Sequence, residues 1–111
     1  MTPIFLSMLG EAYGVARRTA DVSAIVAELN EREARGEYIA PFARVMLYAG
    51  VRDRASIVRM LQSCIAEDAS WFTLNVAMSS TLTYVVRGDR ELEAMIDQIY
   101  GGPRPAAPPV T

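Results

Sequence analysis

The sequence predicts an all-α fold in which three antiparallel helix pairs stack as a short solenoid. The first observation is an offset of 35 residues at which apolar residues recur, as at Val22, Ile57 and Leu92. A fixed period of this size is typical of stacked units, none of which buries its apolar face alone. The second observation is that apolar residues within each unit recur every three or four positions, as on one helix face. The third is a hydrophobic content of 51% in 111 residues, enough for a single core but interrupted too often for a membrane span.

Residues 3–16 and 19–35 form the predicted first pair. Thr2 can cap the first helix, and Pro3 suits its first turn because the missing N–H is not needed there. We expect the second helix to end near Gly36. The apolar stripe predicted along the first helix consists of Ile4, Phe5, Met8, Leu9, Ala12, Tyr13 and Ala16. The corresponding stripe of the second helix consists of Val22, Ile25, Val26 and Leu29.

Residues 40–50 and 54–67 form the second pair. Gly50 ends or weakens the earlier helix, and Asp53 is a suitable N-cap for the later one. The apolar residues of the earlier helix are Phe42, Val45, Met46, Tyr48 and Ala49. Those of the later helix are Ile57, Val58, Met60, Leu61, Cys64 and Ile65.

Residues 70–86 and 89–100 form the third pair, and Asp89 is the predicted N-cap of its second helix. The stretch 81–86 alternates enough to suggest a strand, but helix is preferred because the repeat partner of this segment is helical. The remaining segment, 101–111, has four prolines and no core-forming pattern. We expect it to be disordered or extended.

The charge pattern argues against a nucleic-acid partner. The chain has 13 acids and 11 bases, a formal charge of −2, and every base is an arginine. The arginines are interspersed with acids, for example at Arg17, Arg18 and Asp21, whereas a surface that follows phosphates needs concentrated positive charge. We therefore expect no binding to nucleic acid.

The residue types present also argue against catalysis and metal binding. Without His or Lys there is no imidazole base and no amine nucleophile, and a zinc site lacks its usual ligands. Cys64 takes a repeat position that Leu29 and Ile99 fill elsewhere, which predicts a buried thiol rather than a reactive one. No enzyme activity, cofactor or metal is expected. A single cysteine and an amino terminus without a basic region predict a cytoplasmic protein away from membranes.

Short motifs along the chain resemble tetratricopeptide repeats. Residues 9–13 read Leu-Gly-x-x-Tyr, 38–42 read Tyr-Ile-Ala-Pro-Phe, and 47–49 read Leu-Tyr-Ala. The second unit is similar to the degenerate tetratricopeptide modules at the carboxyl ends of some bacterial regulators, nucleotide cyclases and kinases. Trp71 and the Arg-Gly-Asp corner at 87–89 fit the same pattern. The resemblance implies a right-handed solenoid of helix pairs that binds other proteins.

The sequence also departs from the family. The glycine that ends the first helix of a repeat is replaced by Arg17 and Arg52, and a small alanine is replaced by Val22 and Ile57. Val45 stands where a small residue is usual. Because each change adds bulk where helices approach, we expect units that nest less closely than those of the family.

The resemblance implies an apolar concave groove, lined by four positions of the first helix of each unit, among them Ile4 and Gly14. Such a groove suits an amphipathic helix or an extended hydrophobic segment. The candidate partner-binding residues are Ser7, Glu11, Ile39, Phe42, Met46, Ala49, Leu74, Ala77, Thr81 and Tyr84. The alternative is that the same residues are ordinary core, covered by the third unit or the tail.

Three functions follow as hypotheses. The leading one is a non-catalytic protein–protein interaction module with an adaptor or regulatory role. The second is a structural domain that forms homo-oligomers through the same residues. The third is a sensor that holds a small apolar molecule between helices. The sequence leaves open the identity of the partner and whether the chain works alone or within a larger protein.

Overall fold

The computed structural model of this protein describes residues 1–67 and 81–100, and every regular element within them is an α-helix. The prediction of an all-α fold is confirmed for these residues. The helices are α1 (Pro3–Val15), α2 (Thr19–Ala34), α3 (Pro41–Val51), α4 (Arg54–Ala66), α5 (Leu82–Val86) and α6 (Arg90–Tyr100). The preference for helix over strand in the stretch 81–86 is confirmed for Leu82–Val86. The beginning of the predicted helix 70–86 and the predicted tail 101–111 lie outside the described residues.

Three helices begin at the side chains that the sequence predicts as caps. The hydroxyl of Thr2 accepts the N–H of the third residue of α1 at 3.4 Å. The carboxylates of Asp53 and Asp89 likewise accept the N–H of the third residue of α4 and of α6, each at 3.2 Å. A hydrogen bond from the Ser56 hydroxyl, together with the backbone bond, holds the pKa of Asp53 below its usual value. Each cap fixes the point at which its helix starts.

The turns that end α1 and α3 have the same backbone hydrogen bonds, 35 residues apart. In the first turn the Arg18 N–H donates to the Tyr13 carbonyl at 2.8 Å. In the second the Asp53 N–H donates to the Tyr48 carbonyl at 3.1 Å. This closure is the Schellman pattern that commonly ends a helix. The sequence repeat is therefore also a repeat of local backbone structure.

Each of these turns contains an arginine in the left-handed region. The φ angle is 60° at Arg17 and 56° at Arg52. A side chain with a β-carbon is unfavourable in this region, which is why glycine is the usual residue there. By the resemblance to tetratricopeptide repeats, glycine is the residue expected at Arg17 and Arg52. The left-handed backbone conformation at these positions explains why glycine is preferred there.

Among the helices described, α3 has the most neighbours, because it packs against α1, α4 and α5. Helix α2 packs against α1, and α6 packs against both α4 and α5. The longer helices are therefore linked by contacts in the order α2, α1, α3, α4, α6. Antiparallel pairing and a right-handed solenoid stay predictions.

The buried apolar side chains form two clusters, and α3 contributes to both. The α1–α3 cluster consists of Leu6, Val22, Ile25, Leu29, Ile39 and Leu47. The α3–α6 cluster consists of Val45, Met46, Ala49, Ile57, Leu61, Cys64, Leu82, Val86, Leu92 and Ile96. The repeat positions Val22, Ile57 and Leu92 are all buried, as the offset predicts.

Helices α1 and α3 approach so closely that their contact requires glycine. A β-carbon on Gly50 would lie 2.6 Å from the carbonyl oxygen of Glu11, and one on Gly14 would lie 2.7 Å from the carbonyl carbon of Gly50. Both obstacles are backbone atoms, which no side-chain rotation can remove. The expectation of loosely nested units is wrong at this contact. The small residues that permit it are Gly14 and Gly50, not residues at the positions of Val22 and Ile57.

Candidate functional site

The predicted partner-binding residues differ widely in exposure. The buried ones are Ser7, Ile39, Met46 and Ala49. The partly buried ones are Glu11, Phe42 and Thr81. Tyr84 is 67% exposed. Leu74 and Ala77 lie outside the described residues.

The structure divides the buried candidates between separate parts of the core. Met46 and Ala49 belong to the α3–α6 cluster, whereas Ile39 belongs to the α1–α3 cluster. The hydroxyl oxygen of Ser7 is buried and has no hydrogen-bond partner among the described residues. These side chains contact other residues of the same chain rather than gathering on one open face. Their role in binding a partner stays a prediction.

A different set of apolar residues is exposed on α1. Phe5, Met8, Ala12 and Val15 follow one another at spacings of three, four and three, which places them on one side of the helix. We call these four residues the α1 apolar face. Phe5 is 57% exposed, Met8 46% and Val15 59%. Large apolar side chains with this exposure in a continuous row are typical of a binding surface.

The apolar stripe predicted along the first helix is not the buried side of α1, since its members Phe5, Met8, Ala12 and Ala16 are exposed. The buried residues of α1 are Leu6, Ser7 and Gly10. Because α1 is apolar on nearly every side, apolar spacing alone does not identify which side is buried. The signal that could have identified the buried side is the pair of glycines on α1, Gly10 and Gly14, since small residues allow the close approach of α3.

Polar contacts begin where α1 ends. The Arg18 guanidinium lies 4.8 Å from the centre of the Tyr13 ring and 2.7 Å from an Asp21 carboxylate oxygen. Val51, at the end of α3, is 39% exposed and lies beside Gly14, on the side of α1 that faces α3. Neither Tyr13 nor Gly14 belongs to the α1 apolar face.

The groups with potential reactivity lie elsewhere. Cys64 is 1% exposed, and burial raises its pKa to about 11, so the thiol stays protonated at neutral pH. This agrees with the predicted buried cysteine. The carboxylates and the thiol of residues 1–67 and 81–100 form no group of three that could hold a metal ion.

None of the helices described combines the length and apolarity needed to cross a bilayer. Searches of protein-family models, curated proteins and solved structures found no match to this chain. The α1 apolar face and the side chains around it are therefore the basis on which a function can be assigned.

Proposed function

We propose that this chain is a non-catalytic protein–protein interaction module and that its α1 apolar face binds an apolar or amphipathic segment of another protein. The observation that carries the proposal is the exposure of Phe5, Met8 and Val15 on one side of a helix whose other side is buried. Covering these side chains removes apolar area from water, which is the main favourable term in protein association.

The geometry of the face favours a helical partner. Its residues alternate at spacings of three and four, as do the a and d positions through which helices pack side by side. Phe5 supplies a large rigid anchor, and the flexible thioether of Met8 adapts to irregular partner surfaces. A few such anchors account for most of the free energy of a typical interface.

The proposal includes the architecture that the resemblance implies. The matching hydrogen bonds of the two turns support a tetratricopeptide-like stacking of helix pairs, and the α1 apolar face lies outside the groove positions that the resemblance implies. On this view the domain is an adaptor or regulatory module of the cytoplasm. The partner-binding surface then lies on α1 itself, and Tyr84 is not part of it.

A second candidate function is homo-oligomerisation through the same face. No residue of the α1 apolar face is charged, so two copies can meet there without like-charge repulsion. Light scattering after gel filtration distinguishes the two functions. A monomer at micromolar concentration supports a different protein as partner, whereas a dimer that Phe5→Asp dissociates supports self-association.

A display selection on the purified full chain tests the α1 apolar face as a binding surface. Amphipathic helical peptides are selected against the unmodified protein, and the affinity of the best peptide is then measured for three variants. We expect Phe5→Asp and Met8→Asp each to weaken binding by about tenfold or more. The matched control is Tyr84→Asp, which places the same charge on a similarly exposed aromatic position and should leave the affinity unchanged.

Circular dichroism identifies any variant that fails to fold, and such a variant is excluded. Equal affinity of the peptide for folded Phe5→Asp and for the unmodified chain would contradict the proposal. Loss of binding in Tyr84→Asp alone would move the site to the predicted groove.

A further inference from the structure

A cleft of about 470 Å³ opens beside α3, between the end of α2, the segment that joins α2 to α3, and α4. Its volume lies in the range of small-molecule sites, roughly 300–1,000 Å³. Aromatic and apolar side chains, including Tyr48 and Met60, line part of it. The charged side chains in its lining are Arg44, Glu33, Glu37 and Glu67. None of its residues belongs to the α1 apolar face, so the cleft is independent of the function proposed above.

Arg44 is the residue that indicates a ligand. Its side chain is only 8% exposed, and its Nη2 atom is buried without a hydrogen-bond partner among the described residues. The nearest ion-pair contact, to Oε1 of Glu33, is 3.7 Å long and so is beyond hydrogen-bond distance. A guanidinium stays protonated at physiological pH, and a buried donor without an acceptor is unfavourable. The cleft therefore contains a cationic donor that an incoming acceptor would satisfy.

The glutamates constrain the charge of that ligand. Glu67 accepts a hydrogen bond from the Tyr38 hydroxyl at 2.7 Å, and Glu37 lies 3.8 Å from the Nε atom of Arg32. Arg32 is itself paired with Glu28 at 2.9 Å. Among the described residues that line the cleft, the carboxylates of Glu33, Glu37 and Glu67 therefore outnumber the guanidinium of Arg44. A simple anion that paired with Arg44 would be repelled by the carboxylates, and a simple cation would leave Arg44 without an acceptor.

We propose that the cleft binds a small zwitterion with a carboxylate at one end and an ammonium group at the other. The carboxylate pairs with the guanidinium of Arg44, and the ammonium lies among the glutamates. The carbon chain between them packs against Tyr48 and Met60. A molecule of this class satisfies the buried donor and the excess negative charge together, which neither a carboxylic acid nor an amine does alone.

Titration calorimetry on the full chain tests the proposal with a series of ω-amino acids, from glycine to 6-aminohexanoate. We expect one length to bind at least about tenfold more tightly than the alkanoate or the alkylamine of the same length. Equal affinity for the alkanoate would identify a plain anion site and overturn the proposal. Absence of heat across the whole series, at concentrations up to the solubility of the protein and ligand, would overturn it as well.

Variants then locate the binding site. Arg44→Gln should weaken binding of the best ω-amino acid about tenfold or more, whereas Arg90→Gln, at an exposed position of α6, should not change it. Because substitution of the buried Arg44 can prevent folding, the exposed Glu37→Gln provides a second test. It should weaken binding of the ω-amino acid but not of the alkanoate. Unchanged binding in both Glu37→Gln and folded Arg44→Gln would overturn the proposal.

Discussion

The two sides of α3 are stabilised in different ways. Towards α1, contact is made by backbone against backbone, and Gly14 and Gly50 leave no room for a β-carbon. Towards α4 and α5, contact is made by branched side chains such as Leu61 and Leu82, neither of which has any exposed area. The difference teaches that helices with a common repeat can pack either by omitting side chains or by filling the space between them.

These two modes respond to opposite substitutions. A contact between backbones is sensitive to added atoms, because nothing in it can rotate away. A contact between side chains is sensitive to lost atoms, because the surrounding structure relaxes only partly into the cavity. Substitutions that add atoms between α1 and α3, or remove atoms from the other side of α3, therefore distinguish the two modes.

The substitution Gly50→Ala should have the largest effect. Its β-carbon would lie 2.6 Å from the carbonyl oxygen and 2.7 Å from the Cα of Glu11, so α1 and α3 must separate. We expect the free energy of unfolding to fall by about 3 kcal/mol or more, measured by chemical denaturation.

The matched control for this substitution is Gly10→Ala. There the new β-carbon would meet mainly the side chain of Leu47, at 2.9 Å, and that side chain can change rotamer. Its loss should be smaller, about 1 kcal/mol. Equal effects of the two variants would show that backbone contact is not what distinguishes Gly50.

The substitution Leu61→Ala should destabilise the other side of α3 by about 3 kcal/mol, because it leaves a cavity in the α3–α6 cluster. The control is Leu61→Met, which keeps most of the volume and should cost less than about 1.5 kcal/mol. Both values come from denaturant titrations with the slope checked for constancy. A Leu61→Ala variant as stable as Leu61→Met would mean that this side tolerates cavities.

The features that the sequence predicted correctly depend on neighbours a few residues away. Caps such as Thr2, Asp53 and Asp89 act on the helix that begins beside them, so their residue type and position are sufficient. The burial of the repeat positions Val22, Ile57 and Leu92 was also predicted, because an apolar residue that recurs at a fixed offset in three helices is a stronger signal than one in a single helix. Helix identity and repeated core positions were therefore accessible before the structure was known.

The features that the sequence missed depend on which helices meet. The buried side of α1 is chosen by the glycines that admit α3, and an apolar period does not contain that choice. Likewise, nothing in the sequence distinguishes Arg44 from the other arginines, since its burial requires α2, α3 and α4 to be in place. Tertiary packing also covers Ser7, Met46 and Ala49, three of the predicted partner-binding residues, and their role in binding stays a prediction.

The two serines that are buried among the described residues, Ser7 and Ser56, provide a smaller test of the comparison. Ser7 has no partner for its hydroxyl among the described residues, whereas the Ser56 hydroxyl donates to Asp53 at 2.7 Å and accepts from Arg59 at 2.8 Å. We expect Ser7→Ala to raise the free energy of unfolding by about 0.5–1 kcal/mol, since it removes an unsatisfied polar group and favours helix. Ser56→Ala should lower it by about 1 kcal/mol. Thermal and denaturant unfolding of both variants check these signs, and a loss in Ser7→Ala would contradict the assignment.

The smallest effect concerns the ion pair that joins α4 to α6. Arg54 donates to the Asp89 carboxylate at 2.7 Å, and this bond, with that of the Leu92 N–H, lowers the pKa of Asp89. Because folding favours the ionised form, its contribution to stability is complete above the ordinary carboxyl pKa, near 4, and is lost as the pH falls through the lower folded value. Asp89→Asn should therefore reduce the loss of stability between pH 6 and pH 2.5, measured by denaturation at each pH. Arg54→Gln keeps the helix cap but removes the hydrogen bond from Arg54, which is the larger cause of the lowered Asp89 pKa. This variant should therefore retain only part of the pH dependence. If Arg54→Gln leaves the pH dependence unchanged, the hydrogen bond from the Leu92 N–H, and not the ion pair, is what lowers the pKa of Asp89.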